Sequence, residues 1–313
     1  MILHHDVTEE EGGVPLLSIL RRSMGLSASL VRALKASDGL KVDGVSRFTN
    51  YLVTPGERVF AHISAAEKPG DNLPEEGPLE ILLEDEGLIA VNKPPGLIVH
   101  PSRSRQHGTL SNFVAGYLQK SSERAGCHIV NRLDRDTSGA VLFAKNAYMK
   151  DRATQALREG EKRYIALVVG ALSPPAGIID LPIRRFQERD MRRIVAPDGK
   201  RAVTRYHTIV QGRVGGFLCT ALELVLETGR THQIRVHCLE RGVPLVGDCL
   251  YHTEVSRLFS AKLGIGRQLL HSRALSFLHP LTGEKTKLEA PILDRAFLRL
   301  LGELGWVNHG AEA

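Results

Sequence analysis

At 313 residues and 34.4 kDa the chain exceeds one small domain, and its length favours two. Apolar residues at 42% exclude a disordered protein, no apolar run nears the ~20 residues of a membrane span, and residues 1–13 lack the charged-then-apolar layout of a signal peptide. Forty-one Lys and Arg against 35 Asp and Glu give +6 and a pI near 9.2, a mild excess that permits a polyanionic partner without requiring one.

Residues 1–12 read as a loose acidic lead-in. Leu16, Leu17, Ile19 and Leu20 then open a helical apolar pattern, and Leu30, Val31 and Leu34 mark a second short helix with Ser27 or Ser29 as its N-cap. From Gly39 the period shortens. Leu40–Val42 and Arg58–Ile63 read as small strands, set off by turns at Asp43-Gly44 and Pro55-Gly56. Residues 64–78, rich in Pro, Gly and Glu, read as a linker.

Beyond the linker the clearest strands are 79–83, 88–91, 139–143, 165–169 and 219–226, with helices at about 111–120, 147–158 and 232–241. Many strands with scattered helices and no regular βαβ alternation predict an α+β catalytic domain over 79–313, built on a mixed, largely antiparallel sheet. Charge is uneven: 71–90 hold seven acidic residues and no Lys or Arg, whereas 184–205 hold eight basic residues against three acidic. Such a run is often just a solvated face; its Arg density makes Arg192 and Arg193 candidates for phosphate contacts. Cys127, Cys219, Cys238 and Cys249 form no CxxC pair, which fits a reducing compartment, and a cytoplasmic protein is expected.

Three segments carry candidate chemistry. Asn131-Arg-Leu-Asp-Arg-Asp-Thr-Ser-Gly139 is a polar loop leading into an apolar strand, a place to hold a carboxylate rigidly. Taken alone, its Arg-x-Asp pair is as well explained by a structural ion pair. Asp134 and Asp136, two apart on an extended segment, point to opposite sides and do not share a site. Glu161-Lys-Arg-Tyr164 opens the next strand, where a Tyr is commonly a half-buried packing residue. Glu227-Thr-Gly-Arg-Thr-His-Gln-Ile-Arg-Val-His237 contains two histidines, but their i, i+5 spacing and the lack of a Cys or Glu partner exclude a metal site.

Together these segments resemble the RluA-type pseudouridine synthase family. Residues 131–139 match its His-Arg-Leu-Asp-x-x-Thr-Ser-Gly signature, except that Asn131 stands where the family usually has His. Residues 229–237 match Gly-Arg-Thr-His-Gln-Ile-Arg-x-His, 162–164 match Lys-x-Tyr, and 92–101, 243–251 and 270–291 match further motifs, so the likeness spans about 79–293. The resemblance implies that Asp134 is the catalytic Asp, acting as nucleophile or as a base on the ribose. It also implies that Tyr164 lies against the target base, that Arg132 intrudes where the base leaves the RNA stack, and that Arg235 pairs with Asp134, with Arg230 the second choice. Asn131 is expected to alter loop packing without removing the chemistry. Residues 14–63 resemble the small αL-type RNA-binding domain first known from a small-subunit ribosomal protein, although 1–70 carry eight basic and eight acidic side chains and no net charge. The implied partner is structured RNA, either large-subunit rRNA or tRNA, bound by a monomer that needs no cofactor and no metal. The rival readings are an inactive RNA-binding assembly factor and a glycoside hydrolase using Asp134 and Asp136.

Overall fold

The computed structural model describes residues 1–66, 73–102, 105–121, 126–188 and 190–306. Residues 1–66 build a four-stranded antiparallel sheet in the order β1-β4-β2-β3, with β1 at Ile2–Asp6, β2 at Leu40–Val42, β3 at Val45–Ser46 and β4 at Arg58–His62. The expected lead-in is therefore wrong: Ile2 to Asp6 pair in register with His62 to Arg58. Its sequence lacks apolar alternation because β1 buries neither face fully. Helix α1 (Leu16–Ser18) runs on into a wider turn over Ile19–Ser23, and α2 spans Ala28–Ala36. Ser27 caps α2, its hydroxyl accepting from Leu30 N–H at 3.3 Å, an interaction typically worth about 1 kcal/mol. Asp43 and Gly44 both adopt positive φ, 48° and 78°, the two left-handed residues that a tight β2–β3 hairpin needs.

The expected linker divides into three parts. Ile63–Ala66 form a short helix, α3; residues 67–72 lie outside the described residues; and 73–78 dock on α4 (Leu110–Ser121). There Glu75 N–H donates to the Asn112 carbonyl, and Asn112 Nδ2 donates to the Leu73 carbonyl at 2.7 Å. One continuous buried cluster takes in Leu16, Leu20, Leu34 and Val59 of the small domain together with Tyr148, Met149 and Ala153 of α5 (Ala147–Glu159).

The second sheet has the order β10-β13-β14-β9-β15-β8-β6-β5, with β7 (His128–Ile129) on β8 and β16 (Lys285–Glu289) on β15. Its members are β5 (Ile81–Glu84), β6 (Leu88–Lys93), β8 (Ser138–Ala144), β9 (Glu161–Val169), β10 (Ala176–Asp180), β13 (Val203–Val214), β14 (Phe217–Leu226) and β15 (Leu270–Leu278). A separate hairpin, β11 (Ile183–Arg185) and β12 (Arg193–Val195), carries the basic run. Every pairing in the large sheet is antiparallel except β15 with β8. The α+β class and mixed sheet agree with the sequence reading, which did not foresee β10 to β13 or the helices α7 (Glu254–Lys262) and α8 (Arg295–Glu303).

Both faces of this sheet are covered, and the period-two pattern of β9 shows how. Ile165, Leu167 and Val169 join Phe259 of α7 and Phe297, Leu300 and Leu301 of α8. Tyr164, Ala166 and Val168 point the other way, toward Ile234 and Cys238 of α6 (Gln233–Glu240). Tyr164 thus lies on the face where α6 packs.

Candidate active site

The site forms at the parallel seam. Ser272 of β15 pairs with Tyr164 of β9 on one side and with Gly139 of β8 on the other. Gly139 adopts φ 111°, and a Cβ there would fall 2.2 Å from the Ser272 carbonyl oxygen, so only glycine allows this approach. The loop entering β8 is tied from several directions. Asn131 Oδ1 accepts from Leu142 N–H at 2.7 Å and its Nδ2 donates to the Ala140 carbonyl at 3.3 Å, which makes Asn131 a clamp on the β8 backbone. Ser138 Oγ lies 2.9 Å from His271 Nδ1, whose Nε2 donates to the Ala290 carbonyl. Burial holds His271 well down, at about 4, so the ring stays neutral and accepts from Ser138.

Two cations from outside the loop bind its carbonyls. Arg267 donates to the Asp136 carbonyl at 3.2 Å and pairs with Asp294. Lys93, fully buried at the end of β6, donates to the carbonyls of Pro94, Leu97 and Arg135, each at 2.8 Å. Burial pulls the Lys93 ammonium down to about 7, against the charges of Asp136 and Asp134. Three carbonyls at that distance need three N–H donors, which only the ammonium supplies, so the geometry supports the charged form. Lys93→Met orphans all three, at about 1–3 kcal/mol each, offset in part because a charge is no longer buried. A net loss of about 3 kcal/mol is expected in urea unfolding. An unchanged midpoint would show that these carbonyls find other partners.

Asp134 projects from this loop, a quarter exposed, and its Oδ2 accepts from Arg235 Nη1 at 3.1 Å. No described residue hydrogen-bonds its Oδ1. Arg235 lies on α6 and is 6% exposed. Its Nε and Nη2 grip Asp248 at 2.7 and 2.8 Å, and Asp248 also accepts from the backbone N–H of Leu250 and Tyr251. Burial works against the Arg235 charge, but Asp248 and then Asp134 outweigh it and its pKa is raised. Arg235 is thus locked from behind by one carboxylate and presents Nη1 to the other. Gln233 braces the turn before α6 through Thr228, Arg230 N–H, the Val203 carbonyl and Thr204.

The other predicted residues fall as follows. Tyr164 is buried at 6% exposure on β9, and burial pushes its phenol up to about 12, so it is protonated at neutral pH. The neighbouring Ser272 hydroxyl has no hydrogen bond of good geometry with a described residue, though its nearness to the phenol partly offsets that push. Arg132 is exposed and makes no hydrogen bond or ion pair with a described residue. Arg230 does not meet Asp134; it is exposed, with Nε on the Arg201 carbonyl at 2.9 Å. Asp136 is held by Arg135 at 2.9 Å and has no part in a carboxylate pair with Asp134. Arg192 is clamped by Asp190 at 2.6 Å and lies over the Phe186 ring, 4.6 Å away. The Arg193 side chain reaches the carbonyls of Met191 and Arg192, while its backbone N–H donates to the Tyr251 hydroxyl at 2.6 Å.

Sequence reasoning missed Lys93 and Asp248 as members of the site, although both sit in motifs already singled out. It considered His232 only as a metal ligand. The structure puts His232 Nε2 3.9 Å from Asp134 Oδ2. Among the described residues, no group of three or more His, Cys, Asp or Glu could hold a metal ion.

The chain resembles known proteins along most of its length. The family profile described as RNA pseudouridylate synthase matches residues 87–240, which include Asp134, Tyr164 and Arg235. The chain is 36% identical to the uncharacterized RNA pseudouridine synthase YhcT of Bacillus subtilis, over 91% of this chain and 92% of that protein. It is 38% identical to ribosomal large subunit pseudouridine synthase D of Escherichia coli, over 77% of this chain and 74% of that one. Human RNA pseudouridylate synthase domain containing 4 superposes with a TM-score of 0.57 at 26% identity, covering 72% of this chain and 93% of that one. Likeness along nearly the whole length, joined to a buried arginine holding the signature carboxylate, identifies the chain as a member of the RluA-type family of RNA pseudouridine synthases.

Proposed function

We propose that this enzyme isomerises uridines of large-subunit ribosomal RNA, with Asp134 as the reacting group, Arg235 as its anchor and Tyr164 against the target base. The observation that carries the assignment is the one-sided hold on Asp134: Oδ2 is fixed by Arg235, and Oδ1 accepts from no described residue. An ionised carboxylate so placed either adds to C1′ of the ribose or removes a ribose proton; both routes use the same oxygen. The C1′–N1 bond breaks with its electron pair passing to the base, and the base turns. C5 then forms the new bond to C1′ as the Asp134–C1′ bond breaks, or as the ribose proton returns on the other route; C5 gives up its proton and N1 takes one up. No electrons enter or leave overall. Tyr164, protonated and apolar on its faces, suits packing against a uracil ring, an interaction of about 1–3 kcal/mol. A base in folded RNA must first leave its stack, and Arg132, which is exposed, would fill the gap.

Ribosomal RNA is favoured by the names of several relatives, which are large-subunit enzymes. Mapping pseudouridines in total RNA from cells with and without the gene tests this. The expected result is loss at one or a few large-subunit positions. Loss confined to tRNA would make tRNA the substrate.

The β11–β12 hairpin is proposed to contact phosphate. Each neutralised phosphate adds about 0.7–0.9 to the slope of log affinity against log salt. Changing Arg192 and Arg193 together to Ala should flatten that slope by about one to two units, nearer one because Asp190 already competes for Arg192. The chemical step on saturating RNA should not change. A slope equal to that of the wild type would leave the hairpin outside the RNA interface.

A further inference from the structure

His232 stands at the N-cap of α6 with φ 59°, in the left-handed region that residues with a Cβ enter at a cost. That conformation brings its ring, 9% exposed, beside the carboxylate, with Nε2 3.9 Å from Asp134 Oδ2. The separation is too long for a hydrogen bond between them, so any Nε2 proton is left for an atom lodged against Asp134.

The other nitrogen decides which proton is present. Nδ1 lies 2.8 Å from the Tyr251 hydroxyl, and that oxygen already accepts the backbone N–H of Arg193 at 2.6 Å. Among the described residues Nδ1 is the one acceptor in reach of the hydroxyl proton, which favours a neutral ring that carries its own proton on Nε2. Tyr251 is itself well fixed. Its ring meets His232 edge-on at 5.5 Å and 74°, lies under the Arg235 guanidinium at 5.0 Å, and its backbone N–H binds Asp248. The charged groups facing His232 are Asp134 and Asp248, which favour the imidazolium, and Arg235 and Arg193, which oppose it. Burial is the largest influence and holds the pKa below the ordinary histidine value.

We propose that His232 is a neutral hydrogen-bond donor to a uracil carbonyl oxygen of the substrate, and that Tyr251 is the positioning residue that fixes its tautomer. The inference deepens the reading of Asp134 as the reacting group and rests on it. Cleavage of C1′–N1 leaves the bonding pair on the base, where the negative charge spreads onto the ring oxygens. A preorganised N–H aimed at such an oxygen stabilises the cleaved state. When C5 returns the pair to C1′ the base is neutral again; the C5 proton then passes to solvent while N1 takes one up from solvent, and the Nε2 proton has never been transferred.

The test is single-turnover pseudouridine formation by the full chain on a uridine-containing target transcript, with RNA affinity measured in parallel. His232→Ala should lower the rate about 10²–10³-fold, with affinity within about threefold. His232→Gln, which keeps an N–H donor, should recover at least about tenfold of that loss. Tyr251→Phe should cost about tenfold and, in imidazole ¹⁵N spectra, convert His232 from the Nε2–H tautomer to a mixture, the signal being identified by its absence in His232→Gln. Should His232→Ala fail to fold, Tyr251→Phe carries the same two readouts. The proposal is overturned by a His232→Ala rate within about threefold of wild type, by a Gln variant no better than Ala, or by a wild-type ring protonated on Nδ1. Activity in Asp134→Asn would instead overturn the reading beneath it.

Discussion

Asp134→Asn should abolish pseudouridine formation, with an expected loss of at least about 10³-fold in single-turnover rate, while RNA affinity should stay within about threefold of wild type. The amide keeps the volume of the carboxylate and an oxygen for Arg235 Nη1, so the pocket is preserved and only the charge is lost. Stability should change little, by about 1 kcal/mol or less, because the native cluster holds one guanidinium between two carboxylates. Removing Asp134's charge leaves Arg235 and Asp248 as a balanced pair. Loss of the Asp134 charge without loss of stability is what is expected if Asp134 is the reacting group of a site built for chemistry. Residual activity above a few per cent of wild type, measured with a clean expression host, excludes Asp134 from that role.

Arg235→Met should be equally inactive but for a different reason, and it should be much less stable. Met fills the volume but leaves Asp248 buried with only two backbone N–H donors and Asp134 without its anchor. Breaking a buried pair on one side costs about 3–5 kcal/mol. The deficit should also depend on pH. An unpaired buried carboxylate has its folded-state pKa raised above the unfolded value, so the folded state binds the extra proton and gains stability as pH falls. The variant should therefore lie closer to wild type near pH 5 than near pH 8, by thermal unfolding at both. Arg230→Met, exposed and losing one bond to a carbonyl, should stay within about 1 kcal/mol and remain active. If Arg230→Met is dead and Arg235→Met works, the anchor has been assigned to the wrong arginine.

The pairing of Asp134 with Arg235 was legible because motif resemblance carries residues across sequence separation, 101 positions in this case. Asp248 was not, since nothing in one dimension distinguishes a carboxylate that grips an arginine from behind from one that ends a turn. His232 was tested against the spacing rules for a helix face, but it precedes the helix, in a backbone state that the sequence does not announce. Long β13 went unread because Thr204, Arg205, His207 and Gln211 dilute its alternation, as expected of a strand toward the outer part of a sheet. Helix α8 is a different case. Phe297, Leu300, Leu301 and Leu304 have plain helical spacing after an Asp294 cap, and the signal was there to be used. Its partner Trp306 packs on the same cluster, whereas His309 lies outside the described residues.

The seam between β8 and β15 bears on how the molecule comes into being. β15 fills the space between β8 and β9, yet it begins more than 100 residues after either of them begins. While the ribosome is still translating residues before Leu270, β8 and β9 each present an open edge, and the pocket has no Ser272 to set Tyr164 beside Gly139. Closure over so long a stretch is slow by its topology. A nascent chain of this enzyme therefore spends much of its synthesis with two adhesive edges and no catalytic centre, and both conditions end with the arrival of a single strand.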